Sequence, residues 1–346
     1  MNWLDDCLAG LAEARVAVFG DFCVDAYWLM AADESERSIE TGLPVRRVRS
    51  QRYSLGGAGN VVANLAALGV GGIQAVTLVG ADLFGRHMLD LLADAGAATD
   101  GVLQCQESWQ TLVYSKPCIG EGEQNRIDFG GFNELTPATM DALAGKLDEA
   151  AAAADIVVLN QQVPGGLSPE PMIGRINEVI AGRGECLFIV DSRHRARLYR
   201  GAMLKINAHE AARLLGRPVP LDERISADRA RDLARDLFDR TGKTVFVTRG
   251  ANGLIVVSDG ELDEVPGIQI VERTDPVGAG DTVLAAMAAV LASGRGAGAA
   301  ARLANIAASI TVRKLQTTGT ASPAEIRHVG PDPEYIHLPG SADDPE

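Results

Sequence analysis

Thr274-Asp275-Pro276-Val277-Gly278-Ala279-Gly280-Asp281-Thr282 runs directly into Val283-Leu284-Ala285-Ala286-Met287-Ala288-Ala289-Val290-Leu291, a small-residue apolar run that reads as a helix. Gly278 and Gly280 let consecutive backbone N–H groups converge at the helix start, where the helix dipole adds attraction for an anion. The turn is therefore a candidate oxyanion pocket built from the amides of Val277, Gly278, Ala279 and Gly280. Asp281 falls in the first helical turn, beside the anion that its own carboxylate would repel. A carboxylate is useful there if it takes a proton from a nucleophilic hydroxyl during phosphoryl transfer. Taken alone, the stretch equally suits an ordinary glycine turn followed by an Asp near a helix start.

Working outward, runs rich in Val, Ile and Leu read as strands at 16–20, 74–79, 156–159, 186–190, 244–248 and 254–257. Segments with helical spacing lie between most of them, at 60–68, 83–95, 140–153, 171–181, 208–215 and 227–239. Strand and helix alternating in this way predict an α/β fold with a doubly wound, mostly parallel sheet. Ligands on such sheets sit beyond the carboxyl ends of the strands, which is where a motif such as 274–282 would lie. The chain's end departs from the alternation, with consecutive helices at 279–293 and 297–315. Two β-prone stretches without intervening helices, 27–30 with 43–53 and 109–118 with 125–129, predict a small antiparallel sheet forming a lid over about 27–53 and 109–129. One face of that lid needs cover from a substrate or a partner subunit. The domain reading is thus 1–329 for the main body with its lid and 330–346, rich in Pro, Asp and Gly, for an irregular tail.

Composition agrees with a large buried core: 47% of the 346 residues are hydrophobic and 23% charged. The net charge of −14 opposes binding to nucleic acid or anionic membranes, while a local cluster of backbone N–H groups could still hold an anion. Cys7, Cys23, Cys105, Cys118 and Cys186 form no C-x-x-C pair, which argues against a disulfide framework or a zinc site and suits a reducing cytoplasm. The first residues lack the basic and apolar regions of a signal peptide, and the longest apolar run falls short of the roughly 20 residues that span a bilayer. His87, His194, His209, His328 and His337 show no metal-ligand spacing. Thr241-Gly242-Lys243-Thr244 imitates the end of a P-loop, but Leu237 stands where the first glycine belongs, so it reads as a turn.

A second glycine stretch, Leu55-Gly56-Gly57-Ala58-Gly59-Asn60, leads into a helix. Its glycines permit close backbone approach to a ligand, and Asn60 offers donors and acceptors suited to sugar hydroxyls; helix capping is the plainer alternative. With the two glycine motifs in this order, the chain resembles the ribokinase-like (PfkB) family of sugar and nucleoside kinases, from about residue 15 to about residue 327. The resemblance implies a Rossmann-like core with a β-sheet lid and ATP-dependent phosphorylation of a hydroxyl. Asp281 would be the general base, with Gly278, Ala279 and Gly280 in the anion hole. Asp25, Gly56, Gly57, Asn60 and Gln162 would bind the acceptor. Asn207-Ala208-His209-Glu210 is similar to the family's N-x-x-E motif, whose Asn207 and Glu210 would organise Mg2+ through water. Thr248, Gly250, Gly253 and Asn305 would contact the nucleotide, and Asp275 is a candidate K+ ligand. The likeness also implies a homodimer clasped through the lids.

Within the family, 38–45 and 312–315 look most like bacterial heptose-7-phosphate kinases. The chain departs from them at Ser54-Leu55, where they carry Arg-Pro, and at Asn160-Gln161-Gln162-Val163-Pro164-Gly165, where they carry S-D-Y-x-K-G. Val62 replaces a small residue, and Pro276-Val277 stand where relatives often carry threonine, so potassium activation is expected to be weaker than in threonine-bearing relatives. Arg46, Arg47, Arg49 and Arg52 read as solvated strand arginines, with a grip on a substrate phosphate as the alternative. Two further functions remain open: a nucleoside kinase, which would need aromatic stacking from residues such as Phe22, Tyr27 or Trp109, and a sugar-binding regulator without catalysis.

Overall fold

Along β1 (Arg15–Gly20) every residue after Arg15 is buried, as a central parallel strand covered on both faces requires. Val16 and Val18 enter one core cluster and Ala17 and Phe19 the other, so side-chain alternation on one strand serves two helical layers. The computed structural model describes residues 3–32, 36–120, 122–315, 318–331 and 333. Its large sheet adds to β1 the strands β4 (Gly72–Gly80), β5 (Ala98–Cys105), β9 (Ile156–Gln161), β10 (Leu187–Ser192), β11 (Met203–Asn207), β12 (Val245–Thr248), β13 (Leu254–Ser258) and β14 (Glu261–Val265). Their order is β14-β13-β12-β11-β10-β9-β1-β4-β5. All neighbours pair in parallel except at β12/β13 and β13/β14.

One face carries α1 (Trp3–Gly10), α2 (Ala58–Leu68), α3 (Leu83–Asp94), α8 (Ala279–Ala292), α9 (Ala297–Thr311) and α10 (Pro323–Val329). The other carries α4 (Pro137–Ala153), α5 (Glu170–Gly182), α6 (Ala208–Leu214) and α7 (Ala227–Thr241). Thr282 to Leu291 of α8 are all buried, which accounts for the alanine-rich run: small side chains let α2 and α9 pack closely around it.

Three strands of this sheet were not legible. β5 is interrupted by Asp100 and Gly101, β14 is an acidic edge strand, and β11 is only five residues long with Lys205 at its centre. The last omission matters, because β11 delivers both Lys205 and Asn207 to the sheet's carboxyl edge.

The second sheet holds β2 (Phe22–Met30), β3 (Val48–Gly57), β6 (Leu112–Ile119), β7 (Gly122–Glu123) and β8 (Ile127–Phe129). Its order is β3-β2-β6-β7, with β8 also on β6. It is mixed and not purely antiparallel, since β2 and β6 run parallel. β2 begins at Phe22, almost directly after β1, and β3 only at Val48, so Val45, Arg46 and Arg47 precede the strand. Trp109 is buried in the main core and does not belong to β6. Tyr53, Phe84 and Phe129 form an aromatic chain with centroid separations of 6.3 and 5.7 Å that seats the small sheet on α3. Leu29, Val48, Ile127 and Phe129 stay exposed on the small sheet. Among the described residues no helix is long and apolar enough to cross a membrane. Most of the expected tail, 330–346, lies outside the described residues.

Candidate active site

Gly20, Asn160 and Asp191 stand side by side at the carboxyl ends of β1, β9 and β10, and the N-terminus of α8 meets this edge. Asp281 therefore lies over the centre of the sheet. Asn60 Nδ2 donates to one of its carboxylate oxygens at 3.1 Å and Asn160 Nδ2 approaches the other at 3.5 Å. A hydrogen bond from Thr282 Oγ1 to Asn64 Oδ1 at 2.9 Å locks α8 against α2, fixing the Asp281–Asn60 approach. Burial pushes the Asp281 carboxyl up to about 6, helped by the negative Asp191 and opposed by Lys205 and the two carboxamides. The residue keeps partial access to the cleft. A carboxylate ionised at neutral pH yet raised toward it is suited to accept a proton from a hydroxyl.

Lys205 is the main functional side chain missed in the sequence. It is buried and bonded to Asp191 at 2.5 Å, and its Nζ lies 3.2 Å from where a Cβ on Gly280 would sit. An ammonium is thus held directly under the glycine turn. Within that turn the amides of Val277, Ala279 and Asp281 already donate to Asp275 Oδ1, Pro276 O and Gly278 O. The amides of Gly278 and Gly280 meet no acceptor among the described residues. Of the amides expected to form an anion hole, only those two are thus left without an acceptor, and the Lys205 ammonium lies beneath Gly280.

On the side of the small sheet, Gly57 has φ +57°, and a Cβ there would stand 2.3 Å from the Asp21 carbonyl oxygen. Gly56 touches Asp25 in the same way: a Cβ would lie 3.0 to 3.2 Å from its carboxyl group. At Gly57 the positive φ and the close approach of Asp21 and Cys23 require glycine; at Gly56 the contact is with a side chain alone. Asp25 is buried and pairs with Lys116 Nζ at 3.3 Å; burial raises its pKa, and Lys116 holds it down. Lys116 also donates to Tyr27 Oη at 3.1 Å, and both Lys116 and Arg52 stand against the Tyr27 ring, at 4.7 and 4.6 Å from its centroid. The Cys23 thiol is pushed up by burial and then by the nearby carboxylates of Asp25, Asp21 and Asp281. Asp21 itself accepts backbone N–H bonds from Gln162, Val163 and Leu167, fixing the wall that carries Gln162. A cavity of about 600 Å3 opens between the small sheet and the glycine turn, lined in part by Tyr27, Arg52, Lys116, Asp275 and Val277.

On the other side of Asp281, Asn207 and Glu210 form a capping box at the start of α6. Asn207 Oδ1 accepts from the Glu210 amide at 2.8 Å, and Glu210 accepts from the Asn207 amide at 3.2 Å. Burial raises the Glu210 pKa, as does Asp191. Thr248 pairs with Asn207 across β11 and β12. Gly253, at φ +80°, lies against the segment 265–267, and Asn305 Nδ2 donates to Pro266 O at 2.9 Å, so Gly253 and Asn305 meet at that segment; Thr248 pairs with Leu254, and the Gly253 amide donates to Gly250 O at 3.2 Å. His209 faces away and bonds the Glu223 carbonyl at 2.9 Å. Asp275 is tied through its amide to Val312 O at 2.7 Å. Among the described residues no group of three or more His, Cys, Asp or Glu side chains could hold a metal unaided.

The family model described as "pfkB family carbohydrate kinase" matches residues 13–325. The chain belongs to the pfkB family of carbohydrate kinases. It is 35% identical over 314 residues to a D-beta-D-heptose 7-phosphate kinase of Bordetella bronchiseptica, covering 89% of this chain and 94% of that one. It is 34% identical over 318 residues to the bifunctional protein HldE of Rhodospirillum rubrum, covering 91% of this chain and spanning 62% of that protein's length. Among solved structures, phosphofructokinase-2 of Escherichia coli superposes with a TM-score of 0.71 at 20% identity over 91% of this chain and 97% of that one. Arabidopsis thaliana ribokinase, complexed with ribose and ATP, gives 0.69 at 21% identity over 91% and 98%. These two likenesses establish the ribokinase-like fold of this pfkB member.

Proposed function

We propose that the chain transfers the terminal phosphoryl group of ATP to a hydroxyl of a sugar or sugar phosphate. The observation that carries this reading is the placement of Asp281 between two carboxamides, in the first turn of a helix whose free glycine amides overlie a buried lysine. Asp25, Gly56, Gly57, Asn60 and Gln162 orient the acceptor. Its hydroxyl oxygen attacks the terminal phosphorus, its proton passes to an Asp281 oxygen, and the bond from that phosphorus to the bridging oxygen breaks, leaving ADP. The amides of Gly278 and Gly280 and the ammonium of Lys205 stabilise charge on the transferring group, the kind of electrostatic and positional assistance that phosphoryl transfer requires.

Asn207 and Glu210 supply hard oxygen donors beside Asp191, a set that fits Mg2+ held through water and phosphate oxygens. Mg2+ there would supply charge neutralisation for the nucleotide phosphates. Thr248, Gly250, Gly253 and Asn305 form the nucleotide wall, and Asp275 is the candidate K+ ligand. The small sheet acts as the lid, covering the acceptor. Its exposed Leu29, Val48, Ile127 and Phe129 support a lid-clasped homodimer, which light scattering at micromolar concentration would show as a dimer. The five free thiols suit a cytoplasmic setting.

A nucleoside acceptor is disfavoured by the aromatics: Phe22 and Trp109 are buried in the core, and the Tyr27 ring is covered by two cations. The deciding experiment is an ATP-consumption screen with Mg2+ against pooled sugars, sugar phosphates and nucleosides. Turnover is expected in a sugar or sugar-phosphate pool. Calorimetric binding of a sugar without turnover under any cation condition would instead establish a binding regulator.

A further inference from the structure

Asn160 is the last residue but one of β9, in register with Gly20 on one side and Asp191 on the other, and only 1% of it is exposed. Its backbone carbonyl is used: it accepts from the Asp21 amide at 3.1 Å. Its carboxamide is half used. Nδ2 faces Asp281 Oδ1 at 3.5 Å, whereas Oδ1 is buried and has no hydrogen-bond partner. An acceptor left unpaired in the interior is costly, so a polar atom kept in that state on a side chain that also faces Asp281 points to a ligand that completes it. The orientation of the amide is not free to reverse, because turning it would set its oxygen against the ionised Asp281 oxygen. The missing partner must therefore be a hydrogen-bond donor, and the other end of the same carboxamide faces Asp281.

We propose that Asn160 is a positioning residue that reads the acceptor: Nδ2 fixes the Asp281 carboxylate, and Oδ1 accepts a hydrogen bond from the acceptor hydroxyl adjacent to the one phosphorylated. The acceptor class is then a polyol or sugar with neighbouring hydroxyls on the reacting face. The inference rests on the kinase reading above for its second hydroxyl but adds a contact that the glycine motifs and Asp25 do not make.

The test uses the full chain with D-ribose, D-fructose 6-phosphate and heptose 7-phosphate as probes, in turnover and in calorimetric binding without ATP. Asn160→Ala should raise the acceptor KM and weaken acceptor binding by about 10-fold, the loss of one hydrogen bond, with the KM for ATP within about twofold of the original. Asn160→Asp should do more than weaken binding. It sets a second carboxylate against Asp281, whose neighbours are Asn60 from α2, Asp191 from β10, Lys205 from β11 and Cys23 from β2. The acid limb of kcat/KM should then move to higher pH, with activity recovering as pH rises, while Asn160→Ala shows no such recovery. A purely structural asparagine would give equal losses at every pH and for both substrates, together with a lowered unfolding midpoint; that outcome overturns the inference. Unchanged acceptor affinity in Asn160→Ala overturns it whether or not the protein turns over. Sugar binding by the original chain without phosphorylation would overturn the kinase reading alone, with the binding arm still deciding the contact of Asn160. Failure of the original chain to bind any of the three would overturn both.

Discussion

Lys205→Met should lower stability and turnover together, and only the first should be restored by also changing Asp191. Both side chains of the pair are about nine-tenths buried and meet at 2.5 Å, so removing the ammonium leaves Asp191 as an uncompensated interior charge close to Asp281. Breaking a buried pair in this one-sided way costs about 3–5 kcal/mol, whereas removing both charges is often neutral. An unfolding entropy of about 2.1 cal/mol/K per residue gives roughly 0.7 kcal/mol/K for a chain of 346 residues, so the midpoint should fall by about 4–7 °C. Asp191→Asn combined with Lys205→Met should recover most of that loss in a double-mutant cycle followed by circular dichroism. Turnover should stay low in both variants, by about 10²–10³-fold, because the charge beneath Gly280 is gone from each. In the single variant Asp281 also loses the cation that lowers its pKa, so the acid limb of activity should rise. A Lys205→Met protein that melts like the original, or a double variant no more stable than the single one, would refute the pairing argument. Near-normal turnover in either variant would refute the electrostatic role.

Gly57→Ala places a side chain at φ +57° with its Cβ 2.3 Å from the Asp21 carbonyl, and it should cost at least about 1–3 kcal/mol, visible as an early denaturant midpoint. Lys116→Met removes the cation that holds the Asp25 pKa down, and kcat/KM for the acceptor should fall about 10-fold or more while the KM for ATP stays unchanged; equal effects on both substrates would mean that the small sheet had merely loosened. Replacing Na+ by K+ should change the rate less than about twofold, since Pro276 and Val277 offer no side-chain hydroxyl beside Asp275.

Much of the fold was legible because its signals are local. The strand-and-helix alternation marks the central parallel sheet, and Gly278, Gly280 and Asp281 mark the helix start that meets its edge. β11 was hidden because a strand with lysine at its centre looks polar unless its buried partner, Asp191, is known; that pair joins residues 14 apart and appears only in three dimensions. Trp109 was misplaced because a β-prone aromatic reads alike on a small sheet and in a core. The N-x-x-E spacing of Asn207 and Glu210 was visible, but its local reason here is a capping box, a role compatible with oxygen donors for a cation. Lys116 gave no signal in the sequence, since its pairing with Asp25 depends on the parallel register of β2 and β6.

The central claim, that Asp281 is the base of phosphoryl transfer, is tested most directly by the pH dependence of kcat/KM for the original chain and for Asp281→Asn. A carboxyl with its pKa near 6 is ionised above that pH and protonated below it, so activity should fall as pH drops through about 6. Asp281→Asn should lose about 10²–10⁴-fold in turnover, show no limb near that pH, and still bind ATP. Near-normal turnover in Asp281→Asn, or an unchanged acid limb in its residual activity, would contradict the account.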